Sequence, residues 1–286
     1  MKALALVFVG ALACGAFAEE AHVTLADQAL PASADPNHYR VKAAHYRDRE
    51  AERLRDADVV LLGDSITHYF EWPTNQPLWK RWFDSPEAPF KGLNQAIEGD
   101  TTDNLLWRMQ LSLDKMCPKA FVLLIGTNNT GTRSEKTEPP EDTVKGLKRI
   151  MDEIARVQPQ AKTLVYALFP RGKGVTDPCM IRNEKVNEGL AKLCDGKRFI
   201  FRDIRKAFLL EDGTIDTSRL FDRLHPAPAG YEVWLADMVP ELKKIFAAYE
   251  ADKAVQRAYW KRYGARARAQ SRADEASRAD EELKRL

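Results

Sequence analysis

Four short segments bring together side chains able to do acyl-transfer chemistry. The first is "VVLLGDSITHYF" (59–70), an apolar run that stops at Gly63-Asp64-Ser65 before the pattern turns helical. The others are Gly99-Asp100-Thr101-Thr102, Gly126-Thr127-Asn128-Asn129 and Asp222-Arg223-Leu224-His225-Pro226. Each alone has an ordinary explanation. A serine at the start of a helix is a common N-cap, Gly-Asp is a common turn, and an asparagine amide can hold a loop.

Together the segments fit a nucleophile and its base. A short acid-to-histidine spacing lets the Asp222 carboxylate reach the His225 Nδ1. That fixes the tautomer and leaves Nε2 to take a proton from a serine hydroxyl such as that of Ser65. Pro226 biases His225 toward extended backbone and away from the following helix.

Elements that could hold these groups in one place are legible around them. Residues 58–63, 92–97, 120–126, 162–169 and 198–203 are short, apolar and β-branched or aromatic, and read as strands. Helical patterns fall at about 102–115, 140–157, 180–194 and 228–248. Alternation of this kind predicts an α/β fold with a parallel sheet covered on both faces. Such sheets bind ligands at the carboxyl ends of their strands, where the first three polar segments fall.

The ordered blocks "DVVLLGDSI", "GDTTDNLLWRM", "LLIGTNN", "QPQAKTLVYALFPRG", "RNEKVNEGL" and "DRLHPAPAGY" resemble those of the SGNH, or GDSL, hydrolase superfamily. Within it they are most similar to the platelet-activating-factor acetylhydrolase catalytic-subunit group. The resemblance runs from about Asp58 to Leu242. It implies a flavodoxin-like three-layer α/β/α sandwich with a five-stranded parallel sheet, and a serine esterase without cofactor or metal. Relatives in this group form dimers, so a homodimer is among the arrangements it implies.

Carried over by position, the resemblance makes Ser65 the nucleophile, His225 the general base and Asp222 its orienting acid. It forms an oxyanion hole from the backbone N–H groups of Ser65 and Gly99 and the side-chain amide of Asn128, which offers an NH₂ donor that an aspartate lacks. A glycine at 99 would let backbone approach substrate closely. Asp64 and Asp100 read as acceptors that shape the loops. One position departs from the pattern: Glu98 stands where relatives often carry glycine, and a carboxylate there would narrow the pocket or repel anionic substrates.

The expected activity is hydrolysis of short acyl esters, acetyl above all, on carbohydrate. The acyl group passes through an acyl-enzyme to water or, in a transferase, to a sugar hydroxyl. No extended apolar insertion suggests a lipid tunnel, although phospholipid acetylhydrolysis is the second substrate reading. Trp72, in the aromatic stretch after the nucleophile, is a candidate for stacking on sugar. Trp79, Trp82 and Phe83 read as the packing face of a helix, and Arg171 could approach the pocket. Two other classes compete. A two-metal phosphoesterase would use "GDTTDN", but it needs several converging His and Asp ligands, and only His68 and His225 follow the first strand. A carbohydrate-binding or scaffold protein on a silent hydrolase fold would be expected to have lost Ser65, Asp222 or His225.

The chain has 286 residues, 44% of them hydrophobic, enough for one sizeable α/β domain with additions at either end. A net charge of +2 gives no reason to expect nucleic acid or an anionic membrane as partner. Lys2, the apolar run 3–13 and the small residues Ala16 and Ala18 form a signal-peptide pattern over 1–18, implying a secreted or periplasmic protein with no membrane segment after cleavage. Lipidation of Cys14 is a rival reading, weakened by Ala11 where leucine would be expected. Residues 19–57 form an extension whose part 37–57 suits a charged leading helix; the hydrolase domain spans 58–248. Residues 249–286 read as a charged tail, a solvated helix or a frayed end, with few core residues after Tyr263. Cys117, Cys179 and Cys194 read as mostly buried thiols with at most one pair.

Overall fold

A computed structural model describes residues 56–110, 112–131 and 137–286. The signal-peptide pattern, Cys14 and the leading helix as far as residue 55 lie outside the described residues. Five strands are present: β1 (Val59–Gly63), β2 (Gly92–Asn94), β3 (Ala120–Leu124), β4 (Lys162–Tyr166) and β5 (Phe199–Arg202). They form one sheet in the order β2-β1-β3-β4-β5, parallel at every pairing. Val59 pairs with Gly92 on one side and Ala120 on the other, so β1 and β3 are central. Both are buried along their whole length, which explains their unbroken apolar sequences.

Helices cover both faces. They are α1 (Ser65–His68), α2 (Gln76–Phe83), α3 (Thr102–Met109), α4 (Thr127–Thr130), α5 (Pro140–Val157), α6 (Pro178–Leu193) and α7 (Pro228–Ala251). On one face α7 packs against α2 and β4; on the other, α5 packs against α3 and α6. Trp79 and Phe83 of α2 are buried and Trp82 packs partly buried against the core. An aromatic stack ties α7 to the segment after β1: Phe70 lies 4.5 Å from Tyr231 and 5.6 Å from Trp79, ring centre to ring centre.

Three strands end earlier than their apolar runs. β2 stops at Asn94, whose side-chain Nδ2 donates to the Thr67 carbonyl (2.9 Å) and whose side-chain Oδ1 accepts from Ala96 N–H (3.1 Å). β3 stops before Gly126, whose φ of +124° turns the chain into α4. After β4 the backbone of Leu168 is held by the Asn187 side chain, which accepts from its N–H (2.7 Å) and donates to its carbonyl (3.1 Å). At Asn94 and Leu168 side-chain amides bind the backbone where the regular strand ends, which hydropathy alone does not reveal.

The carboxyl-terminal segment differs from a solvated or frayed tail. Helices α8 (Lys253–Ala269) and α9 (Ala273–Arg285) pack on each other as a hairpin, and α8 also packs against α7. Tyr249, Tyr259, Tyr263 and Ala279 bury with Cys117 in a second small core. The Lys119 ammonium lies 4.9 Å from the Tyr249 ring centre and 5.9 Å from that of Tyr259. Beyond Tyr263 the buried contacts are made by Gly264, Ala267, Ala276 and Ala279. A Cβ at Gly264 would come within 2.9 Å of that of Ala279. Small residues permit this close approach, and they carry little hydropathy signal. Buried Arg266 and Arg272 both pair with Glu275, at 3.3 and 2.8 Å. Cys117, Cys179 and Cys194 are free thiols, the first two buried.

Candidate active site

Ser65 is not the cap of its helix. Asp64 holds that place, accepting the Ile66 N–H at 3.0 Å, and Ser65 is the first helical residue. Its hydroxyl is left for other work. The Ser65 Oγ lies 2.9 Å from His225 Nε2, and the His225 Nδ1 lies 2.7 Å from Asp222 Oδ2. His225 is buried, whereas Asp222 reaches the surface.

The turn 222–225 is built for this bond. Asp222 Oδ1 accepts backbone N–H groups from Leu224 (3.1 Å) and His225 (2.7 Å), which leaves Oδ2 for the ring. Arg223 takes φ +64°, the left-handed conformation a tight turn requires. Its carbonyl accepts the Gly172 N–H at 3.0 Å, fastening the turn to the segment after β4. Burial raises the Asp222 pKa, but hydrogen bonds from His225 and Leu224 outweigh it and hold the carboxyl below its ordinary value. The acid therefore stays ionised beside the ring.

Ser65, Gly99, Asn128 and His225 border one pocket of about 280 Å³. Three of them come from segments that follow β1, β2 and β3, the rim on which a parallel sheet gathers its loops. Gly99 has φ +81°, and an added Cβ would meet nothing within 4 Å. Backbone conformation, rather than crowding, therefore calls for glycine at this position. Asn128 Nδ2 donates to the Asp100 carbonyl at 2.9 Å. An amide has two such hydrogens, so one fixes the side chain while the second can serve the pocket. Asp100 is itself held by Arg108, Nε to Oδ2 at 2.6 Å.

Tyr69, Glu98, Thr101, Gly131, Arg171 and Leu224 complete the lining. Arg171 is buried, with Nη1 donating to the Thr127 carbonyl (2.6 Å) and hydroxyl (3.1 Å). Trp72 is not among the lining residues. It is 40% exposed and stacks on Tyr69 at 3.5 Å, while Tyr69 itself packs 4.8 Å from the His225 ring. The 3₁₀ turn Tyr69–Glu71 puts Tyr69, not Trp72, toward the base. The signal was present in the sequence: Tyr69 stands four residues after Ser65, one helical turn along.

Two titrations in the site are displaced upward. Burial pushes the Asp64 carboxyl up to about 7, against the pull of the Ile66 N–H, and its Oδ2 has no hydrogen-bond partner among the described residues. Burial pushes the Tyr69 hydroxyl up to about 12, aided by the charge and hydrogen bond of Glu98. Tyr69 is therefore a permanent donor at neutral pH.

The sequence profile of the GDSL-like lipase/acylhydrolase family matches residues 61–233. Over 194 residues the chain is 32% identical to platelet-activating factor acetylhydrolase IB subunit alpha1 of Bos taurus, covering 67% of this chain and 78% of that protein. A GDSL-like lipase from Bacteroides thetaiotaomicron superposes with a TM-score of 0.55 at 17% identity, over 73% of this chain and 98% of the other. An acetylxylan esterase from Geobacillus stearothermophilus gives a TM-score of 0.52 at 16% identity, over 66% and 95%.

Proposed function

The chain belongs to the GDSL-like lipase/acylhydrolase family, and from that premise we propose a serine esterase that removes short acyl groups, acetyl above all, from carbohydrate. Ser65 Oγ attacks the ester carbonyl as His225 Nε2 takes its proton, with Asp222 holding the imidazolium that forms. The oxyanion is met by the N–H groups of Ser65 and Gly99 and the Asn128 amide. As the tetrahedral intermediate collapses, the C–O bond to the alcohol breaks. His225 returns the proton to the departing alkoxide, leaving an acyl-enzyme on Ser65. Water then attacks this ester, His225 takes a proton from it, and collapse releases the acid and restores the serine hydroxyl.

The observation that carries the substrate reading is the pocket itself. At about 280 Å³ it is small, and Leu224 is its one aliphatic side chain. A long acyl chain needs apolar walls to leave water, whereas an acetyl group does not. The signal-peptide pattern supports a location in which acetylated glycans are met. A second reading rests on the 32% identity to an acetylhydrolase named for platelet-activating factor: the same short acyl group, removed from a phospholipid.

Both readings are tested by hydrolysis of p-nitrophenyl esters from C2 to C12, followed by release of acetate from acetylated xylo-oligosaccharide and from a 2-acetyl phospholipid. Rates highest at C2 and acetate release from the oligosaccharide are expected. A maximum at C8 or longer contradicts the short-acyl reading, and release from the phospholipid alone contradicts the carbohydrate reading.

A further inference from the structure

The pocket holds a carboxylate where the reaction itself offers no use for one. Glu98 lines it and directly precedes Gly99, whose N–H faces the developing oxyanion in the proposed mechanism. A negative charge beside a forming negative charge opposes acyl transfer, so a carboxylate kept at this position points to a second role, in substrate selection. The surroundings of Glu98 hold it in place rather than remove it. The Tyr69 hydroxyl interacts with its charge, and His68 Nδ1 lies 3.9 Å from Oε2. The side chain stays 31% exposed, open toward the pocket and solvent. Because Tyr69 keeps its proton, it can only donate to Glu98. A carboxylate has about four lone-pair sites, so acceptor capacity remains for a substrate.

We infer that Glu98, steadied by Tyr69, is a specificity determinant that favours esters whose alcohol part carries hydroxyl or ammonium donors and disfavours anionic ones. The inference rests on the serine-esterase reading. It assigns selection to the alcohol part because an acetyl group has no donor to offer. Within glycans it points to neutral or amino sugars and away from acidic ones. Arg171 lines the same pocket and has the opposite preference, but its Nη1 is already engaged by Thr127.

The test uses three acetate esters of meta-substituted phenols, bearing ammoniomethyl, ethyl or carboxylate. Each is measured as kcat/KM with the wild type, Glu98→Gln and Glu98→Gly. The quantity read is the cation-to-anion ratio of kcat/KM, compared between the wild type and each variant so that leaving-group differences cancel. It should fall about tenfold in both variants at low salt, and the wild-type ratio should shrink at 1 M salt, where screening reaches about 3 Å. Agreement between Gln and Gly separates charge from shape. An unchanged ratio in both variants, or a wild-type preference for the anion that survives them, overturns the inference. Failure of the wild type to hydrolyse even the neutral ester would instead overturn the esterase reading, and this inference with it.

Discussion

His225 Nε2 stands 2.9 Å from the Ser65 hydroxyl although 160 residues separate them in the chain. Their meeting is enforced from behind. Tyr231, in the first turn-and-a-half of α7, donates its buried hydroxyl to the Ile66 carbonyl at 2.7 Å, joining the segment after His225 to the one after Ser65. The Phe70–Tyr231 stack repeats that link through apolar contact.

Asp222 holds the ring through one oxygen and its own turn through the other. Asp222→Asn is expected to lower kcat by about 10⁴-fold, because an amide facing Nδ1 favours the wrong tautomer. Steady-state kinetics on p-nitrophenyl acetate check this. A loss below about tenfold would show that the acid does not orient the base.

Asn128→Ala removes a donor from the proposed oxyanion hole. The expected result is a fall in kcat of about 100- to 1,000-fold with little change in KM, since the oxyanion exists only after attack. The same variant loses the bond to the Asp100 carbonyl, at about 1 kcal/mol of stability. Urea denaturation beside the kinetics separates the two effects, and a rate loss matched only by unfolding contradicts the assignment.

Asp64 gives the protein a pH-dependent stability of unusual sign for a carboxylate. Its native pKa is raised to about 7 from an ordinary 3.8, so the folded state holds the proton more tightly than the unfolded one. The group's contribution is full below pH 3.8 and is lost as pH rises through 7. Asp64→Asn keeps an oxygen to accept the Ile66 N–H and cannot ionise. Its stability, from urea melts at pH 4.5 and 7.5, should therefore fall less between those values than that of the wild type. Parallel behaviour of the two proteins would refute the shift.

Tyr259 anchors the carboxyl-terminal hairpin to Cys117 and Tyr249. Tyr259→Ala should destabilise the protein by about 3 kcal/mol, in the range for emptying a buried aromatic site. It lies outside the pocket lining, so kcat on p-nitrophenyl acetate should hold in the folded fraction. An unchanged melting temperature would mean the hairpin does not contribute to the fold.

The sheet was readable because β1, β3 and β4 are buried on both faces and so carry unbroken apolar runs. Ser65 stood out because it directly follows the end of an apolar strand, and Asp222 and His225 because an acid three residues before a histidine stands just ahead of a helix. Other features were less visible, for identifiable reasons. The ends of β2 and β4 are marked by the Asn94 and Asn187 amides, which bond to Thr67 and Leu168, distant in the chain. Tyr69 carried only a spacing signal, one helical turn after Ser65, among neighbouring aromatics that the 3₁₀ turn points differently. Beyond Tyr263 the hairpin buries alanines and a glycine, whose value lies in how closely they let helices approach, together with two arginines. The reason for glycine at 99 is a backbone angle that composition does not encode.

Whether Ser65 is the nucleophile activated by His225 is read by treating the protein with diisopropyl fluorophosphate and mapping the adduct by peptide mass spectrometry. One phosphoryl adduct is expected, on Ser65, with activity lost in step, and no adduct in Ser65→Ala. His225→Ala should label far more slowly. An adduct on another residue, or esterase activity that persists in Ser65→Ala at the wild-type level, would contradict that role for Ser65.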